Sequence, residues 1–465
     1  MNKILQGDCL SVMKTFPDNY FSTIITDPPY GLSAAKNSKG GNKKGGFMGQ
    51  KWDYDVPSVE IWTEALRVLK PGGTALIFAG SRTQHRMAVN VEDAGFILKD
   101  TIMWVYASGF PKAHNISKNI DKKAGAEREV IGKKEGTYSH KTGTLGSDAE
   151  KNRPRVKLDI TEPSTPEAKL WDGWKSHGLK PSYEPILVCM KPNEGSYADN
   201  ALKWGVSGLN IDECRVGTND EDKCMMDKKA SKKNNGINFD VAIGKNKGTA
   251  TPSNPQGRFP ANFIHDGSEE VVELFPNTKT GNIKPFKQKS KEFGNLGENR
   301  DCNFKGDSGS AARFFYCAKV SKAERNIGCE DMEKKGYHCS HPLEGKKQKQ
   351  NENYDEVSWN VGKSVGSHNN HPTVKPIKLM EYLCKLTSTP TGGIVLDPFA
   401  GSGSTGLACQ NTNRDFILIE REQEYIDIIH ARLNGNIKEE MERSEKQADE
   451  LLSDLNNKQN TIWDI

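Results

Sequence analysis

Ile394-Val395-Leu396-Asp397-Pro398-Phe399-Ala400-Gly401-Ser402-Gly403-Ser404-Thr405-Gly406 is the stretch that decides the fold. A short aliphatic run, rich in β-branched residues, is broken by a proline and glycines, and a small-residue segment able to open a helix follows. Gly401, Gly403 and Gly406 satisfy the G-x-G-x-x-G spacing, and Glu420 closes the next aliphatic run, Asp415-Phe416-Ile417-Leu418-Ile419-Glu420. Glycines at such a turn let the backbone pass close to a cofactor, and an acid at the next strand end can accept hydrogen bonds from ribose hydroxyls. Strand, glycine loop, helix and strand in this order predict half of an α/β, Rossmann-like core.

Outward from there the pattern repeats. A helix over Ile377 to Thr387 precedes the loop, and another runs to Leu433 after it. Near the start of the chain, Phe21-Ser22-Thr23-Ile24-Ile25-Thr26 is a β-branched run that must stop at Asp27-Pro28-Pro29-Tyr30, because consecutive prolines cannot donate to a ladder. Val59 to Leu69 has helical periodicity and is closed by Lys70-Pro71-Gly72-Gly73; Thr74 to Gly80 and Asp100 to Tyr106 read as strands. Pro181 to Met190 reads as a strand returning to the sheet, while the rest of the middle breaks into Gly, Asn, Lys and Ser. The expected architecture is a mixed, mostly parallel sheet assembled from residues 1–111, 179–192 and 366–435. Insertions fall at 112–178 and 193–365, the latter expected to recognise the target, and 436–465 is a charged C-terminal helix or tail.

Two constellations carry chemistry. Asp397 at a strand tip can meet a cationic amino group, whereas beside a pyrophosphate it would be repelled, so S-adenosylmethionine is favoured over a dinucleotide. Asp27-Pro28-Pro29-Tyr30 suits an aromatic exocyclic amine, whose lone pair is delocalised and poorly nucleophilic. Acceptors around its two hydrogens, the Asp27 carboxylate and the Pro28 carbonyl, favour a tetrahedral nitrogen with its lone pair free. Pro28 and Pro29 remove competing N–H donors, and Tyr30 offers a face for an extruded base.

These residues resemble the amino-methylating DNA methyltransferases of circularly permuted motif order, the β group, in which the catalytic tetrapeptide precedes the cofactor loop. Further matches are Gly7-Asp8-Cys9-Leu10, Leu179-Lys180-Pro181-Ser182-Tyr183-Glu184-Pro185, Gly257-Arg258-Phe259-Pro260-Ala261-Asn262, Arg313-Phe314-Phe315-Tyr316-Cys317 and His371-Pro372-Thr373-Val374-Lys375-Pro376. The resemblance implies that Asp27, Pro28, Pro29 and Tyr30 are catalytic. It implies that Asp397, Phe399, Ala400, Gly401, Ser402, Gly403, Glu420, Asp8 and Cys9 bind S-adenosylmethionine, with Thr373 or Lys375 near its methionine end. An Asp at the head of the tetrapeptide resembles the adenine-N6 enzymes; a Ser is usual in the cytosine-N4 ones. Double-stranded DNA is the implied substrate, while dimerisation and a cognate restriction endonuclease stay open.

Other classes fare worse. No run approaches the roughly 18 apolar residues of a membrane span, the N-terminus turns polar too early for a signal peptide, and the ten cysteines lack a repeating spacing, so a cytoplasmic protein with reduced thiols is expected. The net charge of +4 does not itself announce nucleic acid, although Lys284 to Lys349 is lysine-rich. Cys329, His338, Cys339 and His341 fit no common zinc spacing, so no metal is expected. No Pro-Cys pair exists for attack on cytosine C5. Trp104, Trp171, Trp174, Trp204 and Phe315 are candidates for core packing or for contact with an extruded base. A catalytically silent recognition subunit is the rival from another class; it need not bind the cofactor.

Overall fold

The computed structural model describes residues 2–31, 55–107, 109, 113–137, 155–217, 257–279, 308–318, 323–332, 368–371 and 373–436. Thirteen strands lie among them: β1 (Lys3–Gln6), β2 (Phe21–Thr26), β3 (Leu69–Phe78), β4 (Ile97–Val105), β5 (Val130–Thr137), β6 (Arg155–Thr161), β7 (Tyr183–Met190), β8 (Phe263–His265), β9 (Asn277–Lys279), β10 (Ser308–Ser310), β11 (Tyr316–Cys317), β12 (Ile394–Asp397) and β13 (Asp415–Glu420). Nine of them form one sheet in the order β1-β13-β12-β2-β3-β7-β4-β8-β11. Only β7 runs against its neighbours in that sheet, so the sheet is mixed and mostly parallel, as the sequence predicts.

The aliphatic strands are buried on both sides because alternate residues feed two cores. Ile25, Leu76, Val395 and Leu418 pack with the helices Ile377–Leu386 and Ser404–Asn411. Ile24, Ile77, Leu396 and Ile417 pack with Trp62, Ala65 and Met87 from the helices Val59–Val68 and Gln84–Asp93 on the other face.

The permuted order closes through two pairings. β1 lies parallel to β13, with Lys3 opposite Ile417 and Gln6 opposite Glu420. β12 lies parallel to β2, with Leu396 opposite Ile24, so the glycine loop and the Asp-Pro-Pro-Tyr tip leave the sheet side by side. Open α/β sheets bind ligands at this edge.

Three features depart from the sequence reading. β1 was not foreseen. The Lys70-Pro71-Gly72-Gly73 segment, expected only to end a helix, continues as strand, tied by Gly72 N–H to the Lys191 carbonyl at 3.0 Å. β8 and β11, from within the expected 193–365 insertion, extend the sheet beyond β4. Within 113–137 and 155–178, β5 pairs antiparallel with β6, and short helices gather around Asp121, which is 1% exposed, ion-paired with Arg128 at 2.6 Å and bonded to Thr165. Among the described residues no helix is long and apolar enough to cross a membrane.

Candidate active site

A cavity of about 1060 Å³ runs along the C-terminal edge of the parallel strands. Its walls follow the strand order. Asp8 and Cys9 come from the β1 tip, Glu420 from β13, Phe399 from beyond β12, Asp27 to Tyr30 from β2, and Glu184 from the start of the antiparallel β7. Thr373 and Lys375 reach it from the segment before the helix Ile377–Leu386. Ten of the predicted site residues therefore share one wall: Asp8, Cys9, Asp27, Pro28, Pro29, Tyr30, Thr373, Lys375, Phe399 and Glu420.

The glycine loop stands directly behind that wall. Gly401 and Gly403 hold left-handed φ of 52° and 78°, and a Cβ on Gly401 would lie 2.8 Å from His371 Nε2. Such positions favour glycine. Gly401 N–H donates to Glu420 Oε2 at 2.8 Å, while Arg421 and Glu422 N–H each donate to Oε1 at 2.9 Å. Glu420 is thus clamped in place facing the cavity, its pKa raised chiefly by burial. The Ser402 carbonyl accepts from the buried Arg432 guanidinium at 2.6 Å, and Ala400 N–H donates to the Ile419 carbonyl at 3.0 Å. Ala400, Gly401, Ser402 and Gly403 shape the loop from outside the cavity.

Asp397 does not stand where the charge argument put it. It is 2% exposed and absent from the cavity wall. Its carboxylate accepts from Thr26 Oγ1 at 2.7 Å, Thr405 Oγ1 at 2.5 Å and Phe399 N–H at 3.1 Å. A carboxylate on the last residue of a buried strand is captured by neighbouring hydroxyls before it can reach a ligand, and burial pushes its pKa up to about 6. Asp397 stitches β2 to β12 and to the helix Ser404–Asn411.

At the β1 tip, Asp8 caps the helix Cys9–Met13 through Ser11 N–H at 3.1 Å. Burial pushes the Cys9 thiol up to about 12, so it packs rather than attacks.

The Asp27-Pro28-Pro29-Tyr30 tip is tied into a cluster that the sequence reading did not resolve. Tyr30 hydroxyl donates to Asp27 Oδ1 at 2.7 Å, and Lys375 Nζ donates to Asp27 Oδ2 at 2.6 Å. Lys375, expected with Thr373 near the cofactor's methionine end, lines the cavity, and its ammonium, 7% exposed, is paired with Asp27. Burial pulls the Lys375 pKa down, but the Asp27 and Glu184 charges outweigh it and hold it above the ordinary lysine value. Burial first, then the same two carboxylates, raise the Tyr30 phenol well above its ordinary value.

Glu184, Tyr106 and His371 also line the cavity; the sequence reading gives Glu184 and His371 only as parts of family motifs, without a role, and Tyr106 only as a strand end. Glu184 Oε2 lies 3.2 Å from Tyr30 Oη and 3.3 Å from Lys375 Nζ, and Tyr106 hydroxyl donates to Oε1 at 3.3 Å. The available signal was an acid heading a wholly apolar strand, since such a carboxylate needs partners. His371 is buried against Gly401 and packs edge-on to Tyr425 at 4.6 Å.

The aromatic candidates divide. Trp104 is core, and Phe315 packs on Phe263 at 5.0 Å. Trp204 donates to Glu194 at 3.0 Å. Trp171 and Trp174, an edge-to-face pair at 5.5 Å, are 41% and 61% exposed. Of the suspected zinc set, Cys329 is buried beside Tyr425, while His338, Cys339 and His341 lie outside the described residues, as do most of Lys284 to Lys349 and the 437–465 tail. The cysteines that are described are free thiols.

An Asp-Pro-Pro-Tyr tip lining a cavity, with a glycine loop packed directly behind it at the edge of a mostly parallel sheet, is the arrangement of a Rossmann-like methyltransferase. Within that class the chain belongs to the DNA methylase family of N6 and N4 enzymes, whose family model matches residues 21–431. It is 26% identical over 237 residues to the type II methyltransferase M.HindIII of Haemophilus influenzae, covering 44% of this chain and 64% of that protein. Over 65 residues it is 46% identical to the type II methyltransferase M2.DpnII of Streptococcus pneumoniae, covering 14% of this chain and 24% of that one. The matched parts span less than two thirds of either relative. Solved structures similar to it include the M1.HpyAVI–SAM complex, at 16% identity and TM-score 0.34 over 93% of this chain and 100% of that one. The cytosine-N4-specific PvuII DNA methyltransferase matches at 13% identity and TM-score 0.38, over 93% and 86%.

The family's cofactor is S-adenosylmethionine, and the residues present fit it. The Glu420 carboxylate, clamped by the Gly401 N–H, faces the cavity, and Asp8, Cys9 and Phe399 line it as well.

Proposed function

We propose that this chain is a site-specific DNA methyltransferase acting on the N6 amino group of adenine extruded from duplex DNA. The observation that carries the reading is the β12–β2 pairing, which sets the Asp-Pro-Pro-Tyr tip beside Pro398 and Phe399 on one cavity, with the glycine loop directly behind them. S-adenosylmethionine, when bound, supplies an electrophilic methyl group on a sulfonium. Glu420, Asp8, Cys9 and Phe399 would hold its adenosine part, with Thr373 toward the other end.

The chain's own residues do the rest. Asp27 and the Pro28 carbonyl accept the two amine hydrogens, which turns the nitrogen lone pair outward. The Tyr30 hydroxyl is engaged by Asp27, which fixes the ring as a stacking face. Transfer is direct, and the gain comes from positioning. An amino group inside a duplex cannot reach this cavity, so the base must leave the stack. The Asp at the head of the tetrapeptide supports adenine over cytosine. The 193–365 region, part of which builds the sheet edge, reads the target, and the likeness to two type II methyltransferases supports a matching endonuclease as partner.

Mass spectrometry of nucleosides from unmethylated DNA, incubated with protein and S-adenosylmethionine, tests this. N6-methyladenine is expected. N4-methylcytosine would overturn the base, and unmodified DNA together with no cofactor binding would replace the enzyme by a silent recognition subunit.

A further inference from the structure

Both Asp27 oxygens are already occupied where an incoming amine has to be received: Oδ1 by the Tyr30 hydroxyl at 2.7 Å, Oδ2 by the Lys375 ammonium at 2.6 Å. Pulling Lys375 away with nothing to replace Asp27 would strand a buried cation, which is strongly unfavourable. Yet both donors also reach a single second atom. Glu184 Oε2 stands 3.2 Å from Tyr30 Oη and 3.3 Å from Lys375 Nζ. A movement of about 0.5 Å would bring either contact to ordinary charge-assisted length. Glu184 is itself held firmly, by the Tyr106 hydroxyl on Oε1 and by its place in β7 opposite Trp104.

We propose that Glu184 is a positioning residue that takes Lys375 and Tyr30 over from Asp27 as the target amine enters. The inference rests on the reading of Asp27 as the amine acceptor. With Asp27 and Glu184 each carrying one negative charge and Lys375 one positive, the cluster keeps a net charge of −1. After the exchange that charge lies on Asp27, facing the amine hydrogens, while Lys375 never loses a counter-ion. Glu184 touches no reacting atom; it decides whether Asp27 is free.

Single-turnover methylation by the full chain tests this, with S-adenosylmethionine affinity and melting temperature measured alongside. Removing the charged acceptor in Glu184→Gln should slow transfer about 10- to 100-fold, with cofactor affinity and melting little changed. Glu184→Asp should recover part of the rate. The decisive measurement is the double variant Glu184→Gln/Lys375→Gln. Once there is no ammonium to move, it should run faster than Glu184→Gln alone, whereas a merely structural Glu184 would make the double variant slower. A Glu184→Gln rate within twofold of wild type, or a slower double variant, overturns the proposal. Should Glu184→Gln not fold, Glu184→Asp carries the test: slowed transfer at unchanged melting supports the exchange, and the wild-type rate overturns it. A wild-type protein that methylates no DNA would remove the parent reading, while an active wild type with an equally active Glu184→Gln removes this one alone.

Discussion

Lys375 Nζ lies 2.6 Å from Asp27 Oδ2, joining residues 348 positions apart in the chain. One comes from the tip of β2, the other from the segment entering the helix Ile377–Leu386, so the ion pair ties the N-terminal strands of the sheet to its C-terminal elements. Losing one partner of a buried pair usually leaves an uncompensated charge. Here Glu184 remains beside Lys375 at 3.3 Å, so the cost of losing Asp27 is softened.

Asp27→Ala should therefore remove function and spare the fold. Transfer is expected to fall at least about 10²-fold, the scale for losing a positioned electrostatic partner. Cofactor affinity, read by titration calorimetry, should move only a few-fold, because Asp8, Phe399 and Glu420 are untouched. Transfer near the wild-type rate would sink the assignment of Asp27.

Gly401→Ala should act on the cofactor. A side chain at φ 52° costs about 1–2 kcal/mol, and the new methyl would meet His371 Nε2 at 2.8 Å. The loop must shift, and with it the N–H that clamps Glu420. Weaker S-adenosylmethionine binding is expected by calorimetry, about tenfold for each 1.4 kcal/mol transmitted. Unchanged affinity would show that the loop and its clamp on Glu420 do not bear on the cofactor.

The sheet and the two motif tips were legible because backbone chemistry writes them locally. Two prolines must end β2, glycines must open the β12 loop, and aliphatic runs such as Asp415 to Glu420 match the observed strand. Asp397 was misjudged because a charge argument made along the sequence cannot see Thr26 and Thr405 converging from two other elements. Glu184 was missed for the converse reason. Its partners Tyr30, Tyr106 and Lys375 are scattered across the chain, and only the return of β7 between β3 and β4 assembles them.

Asp397→Ala should be a stability variant before it is a binding variant. Two hydroxyls and the Phe399 N–H lose their acceptor inside the core, at about 1–3 kcal/mol for each group left unsatisfied. Thermal melting should fall by several degrees before any titration with cofactor. If melting were unchanged and affinity alone were lost, Asp397 would have to reach the ligand after all.

His371 should make stability fall on acidification. Burial, only partly opposed by its contact with the Thr373 carbonyl and by the Asp27 charge, lowers its pKa to about 4 from an ordinary 6.5. The fold therefore favours the neutral ring, and the unfolded chain binds the extra proton first as pH drops. The contribution is complete above about 6.5 and is lost as pH falls toward about 4; a shift of this size corresponds to about 3 kcal/mol. The ring packs against Gly401, so protonation of the folded protein should loosen the glycine loop, and cofactor affinity should decline only as pH approaches about 4. Urea unfolding at a series of pH values, wild type against His371→Gln, isolates the effect. The variant should be less stable at neutral pH, and its stability should change less between pH 6.5 and 4, by about one proton's worth of slope. Parallel curves would mean that His371 titrates alike in the folded and unfolded chain.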